Sequence, residues 1–373
     1  VLLTKEHGKP LTQARDEIDA SCGFIRYAAE SARRIEGEIV TSEIDQEQTW
    51  IQRVPYGVTV GIVAWNFPLA LAARKFGNSL VCGNTMIIKP PSETPLTVMR
   101  LAEIIEQESS LPAGVLNFIT GSGSVVGDAL VRNNIVKLVT LTGSTRAGLE
   151  VFRAAADHCV AVRLELGGKA PFIVMEDTDI DRAVNAAVIA KFNNCGQICT
   201  CNERMYIHES IYEKFVAGLI EKTSELVVGD PLNPDTFIGP KVNKAEVEKI
   251  NQLVQKSVEQ GGKVLLDMTP EMKPTQNGNW MYPVIIEVPN NDNILMHDEI
   301  FGPVLPVMKV RDFNQALEFA NDSEYGLSAY LFTNNVKNIM RAVNELEFGE
   351  VYVNRENGEM INAFHNGFKL SGI

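Results

Sequence analysis

The sequence predicts an α/β protein whose parallel sheets are covered by helices on both faces. Short, continuously apolar runs alternate with helical segments along most of the chain, the pattern of strands buried on both sides. The alternation comes in two series that meet near Gly167-Gly168. At 373 residues, with 45% hydrophobic and 22% charged residues, the chain is long enough for two domains with separate cores.

The elements follow in order. A helix is expected over 16–34, where Ile18, Cys22, Ile25, Ala28 and Ala29 fall near helical spacing and Gly37 stops it. Residues 41–52 are polar with β-branched positions and read as an extended, hairpin-like excursion. The first series then sets strands at 58–64, 85–89, 115–120, 136–142 and 160–166. Helices lie between them at 94–110, 123–132 and 145–156, and Pro95 in the first turn of 94–110 marks its start. The second series places strands at 171–175, 204–208, 282–288, 301–310 and 350–354. Its helices are 179–192, 211–226, 245–260, 313–321 and 336–346, and a polar turn fills 270–279. No internal repeat or low-complexity tract interrupts either series.

Composition narrows the partners. The net charge is −13 and no basic stripe offsets it, which argues against nucleic acid and against an anionic membrane. No apolar run approaches a membrane span, and no signal peptide opens the chain. Six scattered cysteines do not form a disulfide framework, so a reducing, cytoplasmic location is expected. The chain begins at Val1 without Met and stops at Ile373 without an obvious terminal element, which suggests a fragment.

Chemistry concentrates at Asn194-Cys-Gly-Gln-Ile-Cys-Thr-Cys201, with three cysteines inside seven residues. Three readings compete. Small cysteines often simply pack, and that reading suits Cys195 and Cys201. A metal site would want Cys-x-x-Cys pairs or a nearby His, and the spacing here is Cys-x3-Cys-x-Cys, so no metal is expected. The third reading makes Cys199 a nucleophile, because a thiolate is the strongest common side-chain nucleophile at neutral pH. Glu165, on a buried strand before Gly167-Gly168, could serve as its base, the alternative being a pair with Arg163. Asn66 follows a strand end and could donate to an oxyanion; turn residues are the commoner use of Asn. Gly121-Ser-Gly-x3-Gly127 and Gly143-Ser144-Thr145 each run from strand into helix, where backbone N–H groups can meet a phosphate. Neither is the Gly-x-Gly-x-x-Gly fingerprint, and each alone could be an ordinary turn or cap. Lys89 ends a strand and suits a ribose or phosphate, or else is a solvated surface lysine.

Taken together, Trp65-Asn-Phe-Pro68, Lys89-Pro90, Thr142-Gly-Ser144, Glu165-Leu-Gly-Gly168, Gly196-Gln-Ile-Cys199 and Glu299-Ile-Phe-Gly-Pro303 resemble the aldehyde dehydrogenase superfamily in order and spacing across nearly the whole chain. The resemblance implies a Rossmann-like cofactor-binding domain (1–36 and 56–166), a bridging and oligomerisation hairpin (37–55), and an α/β catalytic domain (167–373). It implies that Cys199 attacks the aldehyde, that Asn66 and the Cys199 N–H hold the oxyanion, and that Glu165 activates the water that hydrolyses the thioester. Cofactor contacts are implied for Trp65, Lys89, Ser92, Gly121, Gly143, Ser144, Leu166, Glu299 and Phe301. Lys89 would meet the adenosine ribose, Ser144 a phosphate and Glu299 the nicotinamide ribose. A homodimer or homotetramer is implied as well.

Within the superfamily the late segment, Asn354-Arg-Glu-Asn357, Phe364-His365 and Lys369-x-Ser-Gly-Ile373, looks most like lactaldehyde and glycolaldehyde dehydrogenases. Glu359 and His365 would then line the substrate pocket and suit a hydroxyaldehyde, unless both are rim residues of a loop. Thr200 departs from the Asn those enzymes carry. Succinate-semialdehyde dehydrogenases are the rival. They share Arg74, but their Arg six residues before the nucleophile is Asn193 here, which offers no cationic fork. Ser92 stands where NAD-preferring members place Glu, with the acid one residue later at Glu93. NAD is therefore expected, with appreciable use of NADP. A catalytically silent binding protein on the same fold is the reading from another class.

Overall fold

The structure is a computed structural model that describes residues 1–270, 278–363 and 365–373. Contacts divide it into two units, Arg15–Arg163 and the combination of Val1–Ala14 with Leu164–Ile373. The chain opens with α1 (Leu2–His7) and α2 (Leu11–Glu30). The first fourteen residues go with the larger unit: the Leu11 N–H donates to Pro231 O at 2.9 Å and the Gln13 amide to Phe237 O at 2.8 Å.

In the smaller unit, β1 (Glu38–Thr41) and β2 (Gln48–Ile51) form an antiparallel pair in which every residue is exposed. Next come β3 (Val58–Ile62), α3 (Pro68–Val81), β4 (Thr85–Lys89), α4 (Leu96–Glu108) and β5 (Leu116–Phe118). The helix expected over 123–132 is a π-helical turn, Gly123–Gly127, running into the short α5 (Asp128–Val131). The unit continues through β6 (Val136–Thr142), α6 (Thr145–Ala156) and β7 (Ala161–Glu165), whose last residues pass into the larger unit. The sheet order is β5-β4-β3-β6-β7, with β3 parallel to both β4 and β6 and β4 parallel to β5.

α3 is not among the expected helices: its first six residues, Pro-Leu-Ala-Leu-Ala-Ala, carry no polar side chain to mark a period, and Leu69, Ala70, Ala72, Ala73 and Phe76 are all buried. Its cap is not local either. Glu17 Oε1 accepts from the N–H groups of Leu69 (2.9 Å) and Ala70 (3.3 Å), two of the orphan donors of the first turn.

The larger unit holds β8 (Ala170–Val174), α7 (Ile180–Phe192), β9 (Asn202–His208), α8 (Tyr212–Ser224), α9 (Lys244–Glu259), β10 (Lys263–Asp267), β11 (Val284–Glu287) and α10 (Ile294–His297). It closes with β12 (Val304–Val310), α11 (Phe313–Asn321), β13 (Tyr325–Gly326), β14 (Ser328–Phe332), α12 (Val336–Glu345), β15 (Glu350–Val353) and β16 (Phe368–Lys369). Seven strands order as β10-β11-β12-β9-β8-β14-β15, parallel except for the antiparallel edge pair β10/β11. Neither β10 nor β14 was expected. β14 lies between β8 and the edge strand β15, and Phe172 on β8 stacks on its Tyr330 and Phe332 at 5.3 and 4.9 Å between ring centroids. Such rings bury large apolar areas and anchor the core. Most of the turn expected over 270–279, and Phe364, lie outside the described residues. Among the described residues no helix is long and apolar enough to cross a membrane.

Candidate active site

The stretch around Cys199 is shaped by an interrupted helix. α7 ends at Phe192, and a 3-10 turn, Asn193–Gly196, places Asn194, Cys195 and Gly196 at φ 51°, 57° and 69°. Two consecutive non-glycine residues in the left-handed region are costly, so the surroundings must hold them. Gly196 has no alternative: a Cβ there would lie 2.3 Å from Gly302 O. Gln197 staples the turn, accepting from the Val242 N–H at 3.1 Å and donating to Asn194 O at 3.0 Å. Thr200, itself buried, presents its carbonyl to Ser328 Oγ (3.3 Å) and to the Tyr330 hydroxyl of β14. Gly168 lets the chain pass close behind the nucleophile candidate, since its Cβ would lie 2.3 Å from Cys199 O.

The three thiols differ. Cys195 and Cys201 are buried and Cys199 is half-buried. Burial pushes the Cys195 thiol up to about 11 and the Cys201 thiol higher still. Burial also raises Cys199, but His365 pulls it back through a hydrogen bond and its charge, while Glu359 and Glu165 push it up. Cys201 contacts the buried pair Lys191 and Glu203, whereas Cys199 is the half-buried thiol and faces His365, Glu359 and Glu165.

Those partners meet at His365, whose side chain is only 5% exposed. Its Nδ1 bonds Glu350 Oε1 at 2.7 Å, and its Nε2 lies 3.2 Å from Glu359 Oε1 and 3.7 Å from Glu165 Oε2. The Tyr352 hydroxyl donates to the second oxygen of Glu350. Burial alone would lower the imidazole, yet Glu359, Cys199 and Glu350 hold it well above the ordinary histidine value. His365 thus sits buried among carboxylates whose charges favour its protonated form. Glu165 ends β7, and the next N–H, of Leu166, donates to Ser371 O at 2.8 Å.

Glu299 belongs to the same unit. It accepts from the Gly168 N–H at 2.7 Å, and burial pushes its carboxyl up to about 7. Gly167 makes room for it, because a Cβ there would lie 2.9 Å from Glu299 Oε2. Phe301, two residues on, is left-handed at φ 55°.

The other candidates lie in the smaller unit, mostly at the carboxyl ends of its strands, where parallel sheets bind ligands. Lys89 ends β4 and is 4% exposed, so it is not the solvated lysine that its residue type suggests. Burial lowers its ammonium, partly offset by Glu93. Ser92 Oγ reaches Gly121 O at 3.5 Å, and a Cβ on Gly127 would lie 4.0 Å from Lys89 Cδ. Gly121 sits at φ 149°, a conformation that favours glycine. Ser144 caps α6, its Oγ accepting from the Ala147 N–H at 3.3 Å after Gly143 turns the chain. A buried cation, a capped helix start and a glycine backbone in one region form a donor set that suits the ribose and phosphates of a dinucleotide. Asn66 is buried in the turn before α3, and the Trp65 carbonyl there accepts from Thr94 Oγ1 at 3.1 Å. Arg74, on α3, lies over the Phe24 ring at 5.1 Å.

Sequence reasoning missed Glu350 and Tyr352, which orient His365, and the buried charges Lys169, Lys191 and Glu203. Glu203-Arg204 inside an otherwise apolar strand was the available signal, since charges are rarely buried unless paired. Among the described residues, no group of three or more His, Cys, Asp or Glu side chains is arranged to hold a metal ion.

Residues 1–373 match the model of the aldehyde dehydrogenase family. The chain is 47% identical to 3,6-anhydro-alpha-L-galactose dehydrogenase of Vibrio sp. (strain EJY3) over 373 residues, covering all of this chain and 77% of that protein. It is 41% identical to lactaldehyde dehydrogenase of Escherichia coli (strain K12) over 375 aligned residues, again covering all of this chain and 77% of the relative. A solved structure of 3,6-anhydro-L-galactose dehydrogenase in complex with NADP superposes with a TM-score of 0.96 at 47% identity, over all of this chain and 78% of the other.

Proposed function

The chain belongs to the aldehyde dehydrogenase family, as an NAD(P)-dependent oxidoreductase acting on aldehydes, and from that premise we propose that it oxidises a short 2-hydroxyaldehyde to the acid through a thioester on Cys199. The observation that carries this reading is the meeting of Cys199, Glu165 and Glu359 around the buried side chain of His365. The Cys199 sulfur adds to the carbonyl carbon, and the amide of Asn66 with the N–H of Cys199 receives the developing oxyanion. The cofactor's chemistry is to take up a hydride, which leaves the acyl group on the sulfur. Glu165 then takes a proton from water so that hydroxide displaces the thiolate and the acid departs. Lys89, Ser92, Gly121, Gly143 and Ser144 would hold the adenosine and phosphate end of the dinucleotide, with Trp65, Leu166, Phe301 and the ribose-binding Glu299 toward the nicotinamide.

Glu359 and His365 present an acceptor beside a donor, which suits a hydroxyl next to the aldehyde. Lactaldehyde and 3,6-anhydrogalactose, the substrates named for two relatives, both carry such a hydroxyl. Asn193 in place of an arginine weakens the succinic semialdehyde reading, which would still draw on Arg74. Ser92 leaves room for a 2′-phosphate, and Glu93 is one residue removed, so both NAD and NADP are expected to serve.

A panel of short aldehydes assayed with both cofactors tests the substrate. Lactaldehyde and glycolaldehyde should give the highest kcat/KM, and succinic semialdehyde leading the panel would refute the proposal. A preference for NAD above about a thousandfold, roughly 4 kcal/mol, would show that Ser92 is not permissive. For the mechanism, Glu165→Gln should still release one equivalent of reduced cofactor in a burst, while steady turnover falls by about 10²–10⁴. Loss of the burst itself would assign Glu165 to an earlier step.

A further inference from the structure

Glu203 stands on β9, four residues after Cys199, with 2% of its side chain exposed. Its Oε2 accepts from Lys169 Nζ at 3.0 Å and its Oε1 from Lys191 Nζ at 2.9 Å. A pair of salt bridges would end there. This carboxylate goes on to accept the N–H groups of Ile300 at 2.7 Å and Phe301 at 3.2 Å, two consecutive amides of a distant segment. Lys169 Nζ in turn donates to Asp298 O at 2.6 Å, and Lys241 Nζ donates to Phe301 O.

Four main-chain groups bracketing Glu299, the carbonyls of 298 and 301 and the amides of 300 and 301, are thus each bonded to a buried charged side chain. The segment needs such a grip, because Phe301 is left-handed and Gly302 O is pressed against Gly196 of the nucleophile turn. Buried ion pairs stabilise folds weakly compared with apolar packing of the same volume. What they supply here is direction: the backbone on both sides of one carboxylate is fixed, and the Gly168 N–H takes one of its oxygens.

We propose that Glu203 is a positioning residue that aims Glu299 at the ribose hydroxyls of the dinucleotide, so that cofactor affinity depends on a buried side chain that never touches the cofactor. The inference rests on the reading of Glu299 as the ribose-binding acid. The lysines compensate Glu203, and Glu203 in turn sets the 298–301 backbone.

The test compares Glu203→Asp with parent protein. Aspartate keeps the charge between the lysines but draws the oxygens back by one methylene, away from the amides of 300 and 301. The dissociation constants of NAD and NADP, read by titrating intrinsic fluorescence, should rise about tenfold. Alkylation of Cys199 in the absence of cofactor should stay within about twofold of parent. The charge-balanced double variant Lys191→Met with Glu203→Gln, checked for folding by its melting curve, should lose affinity as well. Combined with Glu299→Gln, neither change should weaken cofactor binding beyond Glu299→Gln alone, because both act through the same carboxylate.

Unchanged cofactor affinity in folded Glu203→Asp overturns the proposal. So does a loss that multiplies with that of Glu299→Gln, which would mean that Glu203 acts by another route. Should Glu299→Gln by itself leave affinity intact, the ribose reading fails and the proposal falls with it, an outcome that the single variants tell apart.

Discussion

Glu299 shows how one residue type acquires a task from its surroundings. Its sequence context is an acid before a strand, and an acid there is usually solvated. Burial among buried charges raises it to about 7, with the Gly168 N–H pulling the other way. A carboxylate accepts two ribose hydroxyls and a protonated acid gives up part of that capacity. With Glu299 as the proposed ribose-binding acid, cofactor binding favours its ionised form, so affinity is expected to be full above about 7 and to weaken as the pH falls through that value. The dissociation constant of NAD, followed from about pH 8.5 down to about pH 6, should rise by up to tenfold in the parent and stay flat in Glu299→Gln. A parent curve as flat as the variant's would remove Glu299 from the ribose site. Cys199 shows the converse: of three neighbouring thiols, Cys195 and Cys201 are buried, and the half-buried Cys199 faces His365, Glu359 and Glu165.

At the scale of elements, the turn between α7 and β9 matters most. It breaks a helix with three left-handed residues and packs backbone against backbone at Gly196 and Gly302. Gly196→Ala should therefore lower stability by about 1–3 kcal/mol and abolish turnover even where the fold survives, because a Cβ at that point pushes the whole nucleophile turn. Thermal melts beside activity assays measure both effects; full activity would show that the turn tolerates displacement. The same element explains what was legible. Glycine, glutamine and cysteine in sequence marked a functional turn, but the strain that shapes it arises from Gly302, a hundred residues away in the chain. The helix α3 was illegible for a related reason, since its cap is the distant Glu17 and its first six residues carry no polar side chain. The strand β14 lies between two recognised helices, and its Leu-Ser-Ala-Tyr-Leu-Phe run is too short and too mixed to separate strand from buried helix by pattern alone.

For the whole molecule, β1 and β2 raise the question of assembly. All their residues are exposed, including Ile39 and Trp50 at 67% and 64%, and an isolated two-stranded ribbon is marginal in water. We propose that the hairpin packs on a second copy of the chain in a homodimer or homotetramer. Light scattering on the parent should report a multiple of 41.1 kDa, and Trp50→Ser with Ile39→Ser should shift it toward the monomer. A monomeric parent would remove the proposal.

The sequence by itself determined the alternation of apolar strands and helices and the family motifs that hold Cys199, Glu165 and Asn66, because those signals are local in the chain. Only the tertiary structure decided that Lys89 is buried, that Glu350 and Glu359 bond His365, and that Glu203 grips the backbone beside Glu299. Burial, desolvation and the meeting of charges depend on segments that are distant along the chain, so the distances and protonation states on which the chemistry turns come into being when the chain closes on itself.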